Sequence, residues 1–299
     1  MPDADPLSGF AVLERAPAKI NLALAIVGQR EDGYHLLESL VTFTAYGDRI
    51  GLSPAAEDLF TLSGRFAEAL AADGDNLVTR ARDRLRAALA KHGQSAPPVH
   101  IHLEKNLPIA SGIGGGSADA AATLRGLLAL WQADLPKDER DAIAIGLGAD
   151  VPMCLVGQPL MARGVGDSIT PLTMPSMPMV LANPMVGVST PAVFKALASK
   201  HNQPFVPVTG REGWVSLLSR LRNDLEPPAR QLCPDIAALS ESLSATGADL
   251  VRMSGSGATC FALYKSDDAA QAAAADLGRQ HPHWFFVATR TIGATHGTH

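Results

Sequence analysis

From Lys19 to Val27 the chain alternates. Ile20, Leu22, Leu24 and Ile26 fall on one face of an extended segment, and Lys19, Asn21, Ala23 and Ala25 on the other, the two-residue period of a β-strand. The second face is the less apolar. Its Lys19 and Asn21 either look out to solvent, the usual fate of such a face, or use the room left by two small alanines to meet something that approaches. Leu77, Ala81, Leu85 and Ala88 recur at helical spacing and predict a helix over 76–92, with Asp75 as its cap and Gly93 as its stop. Residues 99–103 read as a strand. A second helix is predicted over 117–131, with Ala120, Leu124, Leu127, Leu128 and Trp131 on one buried face. Further on, 235–246 and 267–280 read as helices, and 251–253, 259–264 and 284–291 as extended. Strands and helices mixed through both halves suit an α+β fold.

Composition narrows the class. A length of 299 residues suggests about two domains. The proline- and methionine-rich run from Thr170 to Met179, with Pro171, Pro175 and Pro178, excludes a long helix there. It places the boundary nearby, giving domains 1–168 and 169–299. Residues 200–210 read as a surface loop, and Thr295 to His299 as a disordered tail. With 46% hydrophobic and 18% charged residues and a net charge of −5, nothing points to nucleic acid or a membrane surface. No apolar run approaches the length of a membrane helix. The first dozen residues lack the basic and apolar regions of a secretory signal. Cys154, Cys233 and Cys260 are few and unpatterned, which suggests reduced thiols and a cytoplasmic protein.

The candidate chemistry is concentrated between Lys105 and Ala122. Gly112, Gly114, Gly115 and Gly116 run into Ser117 and an alanine-rich helix. Glycines let the backbone turn sharply and bring its N–H groups close to a ligand. A helix start adds free donors and the positive end of the dipole. Together they suit a phosphate chain; a plain strand-to-helix turn is the bland alternative. The Walker pattern fails, because Gly116 is followed by Ser117 and Ala118 rather than Lys-Ser or Lys-Thr. The dinucleotide pattern fails because Ser117 stands where its last glycine belongs.

Other constellations are open to two readings each. Asp150, in Gly148-Ala-Asp-Val-Pro152, precedes a proline suited to a first helical turn. It is either a helix cap or an ionised carboxylate able to accept or orient a hydroxyl proton. Asp32-Gly33 suits a hairpin turn, and the Tyr34-His35 pair after it is either ordinary packing or a platform for a nucleobase. Ser254-Gly-Ser-Gly-Ala-Thr259 is a second glycine-rich turn, or simply a connection between strands. His100 and His102 share a strand face without a Cys, Asp or Glu cluster, so no metal site is expected from spacing, and metal ligands stay unknown. No Gly-x-Ser-x-Gly elbow is present.

Five segments occur together in one order: Ala16-Pro-Ala-Lys-Ile-Asn-Leu22, Asp32-Gly-Tyr-His35, Lys105 to Ala122, Gly148-Ala-Asp-Val-Pro152 and Ser254-Gly-Ser-Gly257. Asn223-Asp-Leu-Glu-Pro227 is a sixth. With them the chain, from about Ala16 to Arg290, resembles the GHMP kinase superfamily. Within it, the Pro-Ala-Lys-Ile-Asn, Gly-Tyr-His and Asn-Asp-Leu-Glu runs resemble the kinases of 4-diphosphocytidyl-2-C-methyl-D-erythritol. The resemblance implies a two-domain α+β fold: an N-terminal α/β domain with a left-handed β-α-β element, a C-terminal ferredoxin-like domain, and an active site in the cleft between them. It implies ATP as co-substrate, with magnesium, and phosphorylation of the substrate's 2-hydroxyl.

By the same resemblance Asp150 is the catalytic base and Lys19 stands beside the reacting hydroxyl. Asn21, Tyr34, His35 and Phe194 hold the substrate, with Phe194 as the second ring around cytosine. Asn76, Lys105, Pro108, Ser111, Gly112, Gly114, Gly115, Gly116 and Ser117 serve ATP, and Ser117 is a possible magnesium ligand. The chain departs from its relatives at Ala110-Ser111, where Gly-Ala is frequent, and at Ile113, Ala118 and Met153. The alternatives are another GHMP kinase acting on mevalonate, homoserine or a sugar, against which Tyr34, His35 and Phe194 argue, and a non-catalytic nucleotide-binding protein, against which the presence of Lys19 and Asp150 argues.

Overall fold

The computed structural model describes residues 5–70, 76–205 and 213–293. Two long strands, β1 (Val12–Gln29) and β2 (His35–Pro54), form a hairpin. After them come β3 (Leu59–Ser63), α1 (Leu77–Lys91), β4 (Val99–Glu104), α2 (Gly115–Trp131), α3 (Lys137–Leu147) and α4 (Val151–Val156). The chain continues through β5 (Leu160–Gly164), β6 (Ser168–Pro171), β7 (Pro178–Asn183), α5 (Thr190–Lys195), α6 (Trp214–Arg220), α7 (Glu226–Leu232) and α8 (Asp235–Ser244). It closes with β8 (Leu250–Met253), β9 (Cys260–Leu263), α9 (Asp267–Gln280) and β10 (Phe285–Arg290). Contacts divide the described residues into two compact units that interleave along the chain. The first takes 5–18, 47–70, 76–109 and 114–156, and the second takes 19–46, 110–113, 157–205 and 213–293.

In the first unit β3 and β4 pair in parallel, joined through α1 as a β-α-β element, and β4 pairs antiparallel with Arg49–Pro54 of β2. α1 starts on Asn76, whose side chain accepts from Thr79 N–H. The cap is therefore Asn76 rather than Asp75, which lies outside the described residues: its amide oxygen meets the free N–H three residues on. Gly93 follows the helix with φ +66°, as a stop requires. α2 departs from the one-faced expectation. Ala118 to Leu124 are all buried, while Leu128 and Trp131 are only half-buried. Small alanines let neighbours close in on every side, so this is a central helix, not a surface one.

In the second unit β7, β8, β9 and β10 form an antiparallel sheet in the order β10-β7-β9-β8. With α8 before β8 and α9 before β10, this is the β-α-β-β-α-β ferredoxin-like arrangement. Val180, Ala182, Cys260 and Ala262 of the sheet, Leu239 and Leu243 of α8, Leu277 of α9 and Ile26 of β1 share one core. Each large aliphatic side chain buried there adds about 1.5–3 kcal/mol over its exposed state. Residues 19–26 of β1 are buried on both faces, Lys19 at 5% and Asn21 at 4% exposure, so the solvent reading of that polar face does not hold. The buried Arg252 guanidinium donates to the carbonyls of Leu22, Leu218 and Leu221, tying β1 to the end of α6. All three cysteines are free and buried. Residues 200–205 hold no helix or strand; the rest of the loop expected over 200–210, and the tail from Thr295, lie outside the described residues.

Candidate functional site

The glycine turn enters α2 through Gly114, whose φ of +63° is left-handed, and no side chain caps the helix. The N–H groups of Gly115, Gly116 and Ser117 therefore have no partner within the helix. Asn76 stands close by in the same unit. A Cβ on Gly116 would lie 3.4 Å from the side chain of Leu77, the first residue of α1. The Nδ2 of Asn76 is buried and has no hydrogen-bond partner among the described residues. Pro108 is buried on the segment leading to the turn. Lys105 is different. Its ammonium lies 2.6 Å from Asp48 Oδ2 and 2.6 Å from Asp119 Oδ2, with all three side chains buried. Neither Asp48 nor Asp119 was indicated by the sequence motifs; a lone acidic residue one turn into an alanine helix was the available signal for Asp119.

The preceding residues, 110–113, belong to the second unit. Ala110 has φ +51°, a conformation that costs a residue with a Cβ roughly 1–2 kcal/mol and that glycine takes freely. The second glycine turn joins β8 to β9 and holds this segment. Thr259 N–H donates to Ser111 O, Ser254 Oγ donates to Gly112 O, and Lys19 N–H donates to Ile113 O. A Cβ on Gly112 would stand 2.6 Å from Gly257 O, so the two turns touch through bare backbone. The Asn223-Asp-Leu-Glu run is the clamp behind them. Asn223 Nδ2 donates to the carbonyls of Met253 and Gly255 at 2.9 and 2.8 Å, and Glu226 accepts from Met253 N–H. Asp224 accepts from Ile26 N–H in β1.

Asn21 is oriented within this network. Ser39 Oγ donates its one hydrogen to Ala23 O, so toward Asn21 Nδ2, 2.7 Å away, it acts as acceptor. The amide oxygen of Asn21 is thereby turned the other way; it is buried and has no partner among the described residues.

The Asp32-Gly33 hairpin forms as expected, with Arg30 N–H donating to Tyr34 O, Asp32 accepting from Tyr34 N–H, and φ +90° at Gly33. It presents two rings. Tyr34 is 67% exposed. His35 packs on Phe194 of α5 with ring centres 4.8 Å apart and planes inclined at 35°. Thr190 at the start of α5 is tied to Ser256 of the second glycine turn, hydroxyl to hydroxyl at 2.7 Å. Burial, helped by the nearby Lys200 charge, lowers the His35 pKa and favours the neutral ring, and its buried Nε2 has no partner among the described residues.

Asp150, half-buried in the first unit, directly precedes α4, and its carbonyl accepts from Cys154 N–H at 3.1 Å. Lys19, in the second unit, is buried. His100 and His102 both hydrogen-bond Thr61 Oγ1, a structural use. No group of three or more His, Cys, Asp or Glu among the described residues could hold a metal ion. No described helix is long and apolar enough to cross a membrane.

A glycine turn feeding an uncapped helix, set in these two units, is the build of a known class of phosphotransferase. The model of the GHMP kinases N-terminal domain matches residues 76–158 and that of the GHMP kinases C-terminal domain matches 208–283; the chain belongs to the GHMP kinase family and is a small-molecule kinase, for which ATP is the co-substrate. It is 57% identical over 297 residues to 4-diphosphocytidyl-2-C-methyl-D-erythritol kinase of Sinorhizobium medicae, covering 97% of this chain and 98% of that one. It is 58% identical over 288 residues to the kinase of the same name from Agrobacterium fabrum, covering 94% and 96%. A crystal structure of 4-(cytidine 5'-diphospho)-2C-methyl-D-erythritol kinase superposes with TM-score 0.79 at 35% identity, over 94% of this chain and all of that one.

Proposed function

We propose that the chain transfers the terminal phosphoryl group of ATP to the 2-hydroxyl of 4-diphosphocytidyl-2-C-methyl-D-erythritol, a step of the non-mevalonate isoprenoid pathway, in the cytoplasm. The likeness to kinases of that name over nearly the whole chain supports the reaction. The observation that carries the choice of acceptor is the ring pair of His35 and Phe194 beside the exposed Tyr34. Mevalonate, homoserine and sugars offer no base to stack on them. Neutral His35, with Nε2 free of other partners among the described residues, is available to a base edge.

The roles follow from what phosphoryl transfer needs, which is positioning and charge stabilisation. Backbone N–H groups from Gly112 to Ser117 receive the phosphates, with Ser111 and Pro108 shaping the approach and Asn76 on the nucleoside side. Asp150 accepts the hydroxyl proton as that oxygen bonds to phosphorus and the bond to ADP breaks. Lys19 offsets the negative charge that develops. Asn21 presents an acceptor to a hydroxyl of the methylerythritol. Magnesium fits as an ion carried in on the nucleotide, since it commonly binds phosphates plus few protein groups. The uncapped first turn of α2 offers Ser117 to it, and when bound the metal supplies positive charge to the phosphates. The division into family halves is proposed at 168/169.

The test is direct. Purified protein with magnesium and ATP should release ADP in step with phosphorylation of the cytidine substrate. Release with mevalonate or homoserine, and none with this acceptor, defeats the reading.

A further inference from the structure

Lys105 meets the rest of the first unit through every polar group it has. Its N–H donates to Ser63 O at 2.7 Å and its carbonyl accepts from Phe66 N–H at 2.9 Å. Its ammonium is shared by Asp48 and Asp119 at 2.6 Å each. Asp48 in turn uses its other oxygen to accept from the N–H groups of Asn106 and Leu107, at 2.6 and 2.8 Å. Asp119 sits one turn into α2 from Gly115. The start of the helix rests on this group: a Cβ on Gly115 would lie 3.2 Å from the Lys105 nitrogen and 3.7 Å from Asp48 Oδ2.

We propose that Asp48, Lys105 and Asp119 form a brace that positions the first turn of α2 for phosphate binding and cancels negative charge beneath it, which makes Lys105 a positioning residue and not a nucleotide ligand. The proposal rests on the placement of the ATP phosphates at this turn. Two buried carboxylates close to an anion site would repel both each other and the incoming phosphates. One ammonium between them removes most of that repulsion and fixes the helix start to the segment after β4. Burial pushes the Asp119 carboxyl well above the ordinary range, against the pull of Lys105. The brace also gives Gly115 a purpose besides close approach to phosphate: any side chain there presses on an ammonium that is held on two sides.

Lys105→Met, Asp119→Asn and the double variant separate the possibilities, with ATP affinity by calorimetry, affinity for the cytidine substrate, and thermal melting read on the whole chain. The brace predicts that Lys105→Met melts several degrees lower and loses at least tenfold in ATP affinity, while substrate affinity changes less than threefold. Asp119→Asn alone stays within threefold of wild type for ATP. The double variant regains at least half of the lost melting temperature and most of the lost ATP affinity. If Asp119→Asn fails to rescue ATP binding, Lys105 is a direct ligand and the brace is wrong. If Lys105→Met melts lower but binds ATP normally, the cluster is merely structural and the proposal is equally overturned. Should Lys105→Met not fold, the double variant is compared with Asp119→Asn: within threefold for ATP supports the brace, and tenfold weaker refutes it. Failure of the wild-type chain to bind ATP would count against the kinase reading, and is told apart because the brace is scored between variants.

Discussion

Phe194 shows how much one side chain is asked to do. It lies on a six-residue helix, half-buried, with His35 on its face. If it stacks a nucleobase, Phe194→Ala removes a contact worth about 1–3 kcal/mol by analogy with base–aromatic stacking elsewhere. Affinity for the cytidine substrate should then fall between roughly fivefold and 150-fold, with ATP affinity near wild type. Binding measured for each ligand separately checks it, and equal losses for both would mean a general disturbance. The proposed base platform was open in the sequence at Tyr34 and His35 as one of two readings and at Phe194 only through resemblance, because local spacing does not distinguish a base platform from core packing. Lys19 and Asn21 were legible as one face of a strand but not as buried, since what covers them comes from distant segments. Ser254, 233 residues on, accepts the N–H of Asn21, and periodicity carries no information about such a partner.

At the scale of elements, the strongly patterned ones were the readable ones. α9 spans Asp267–Gln280, as its spacing predicts, and β4, β8, β9 and β10 fall within a residue or two of their expected ends. β2 offers no clean alternation, because its side chains are buried on both faces over 39–44; its twenty residues become a strand through pairing with β4 and β5. Asp58 is the staple that sequence reading does not reach. Its carboxylate takes two hydrogen bonds from Arg86 of α1, at 2.5 and 2.8 Å, and a third from Val99 N–H at the start of β4. Arg86 first, with smaller help from Val99 and Arg82 against the cost of burial, lowers its pKa to about 2. A carboxyl depressed in the folded state stabilises it above the unfolded pKa of 3.8, and loses that contribution as pH falls toward 2. Discounted for partial exposure, the contribution is roughly 1–2 kcal/mol at neutral pH. Asp58→Asn should therefore lower stability by about that much at pH 7, and the gap from wild type should narrow below pH 4. Urea unfolding of both chains across that range is the measurement; a gap that does not vary with pH would deny the carboxylate this role.

At the scale of the whole molecule, the residues proposed for the chemistry are distributed over both compact units, Asp150 lying in the first and Lys19 in the second. The ordering of six motifs along the chain made the reaction readable, whereas the interleaving of the units did not show, because β1 and β2 each run from one unit into the other without any break in pattern. Binding and turnover can be separated at this scale. A ligand present at 100 times its Kd raises folded stability by about 2.7 kcal/mol, so melting temperature reports binding even when no product forms. Asp150→Asn keeps the shape of the side chain but cannot take the hydroxyl proton or orient it by charge. It should bind ATP and the cytidine substrate nearly as wild type does, with the same upward melting shift from each. Its turnover should fall about 10²–10⁴-fold. Lys19→Met should also slow turnover, and the double variant should be less impaired than the product of the two losses, since both groups serve one transition state. A residue that only started α4 would behave in the opposite way. Asp150→Asn would then turn over normally and Asp150→Ala would mainly melt earlier, because asparagine caps a helix as well as aspartate does. Single-turnover kinetics with ligand-free and ligand-bound melts decide between them, and near-normal phosphoryl transfer by Asp150→Asn would remove the carboxylate from the reaction.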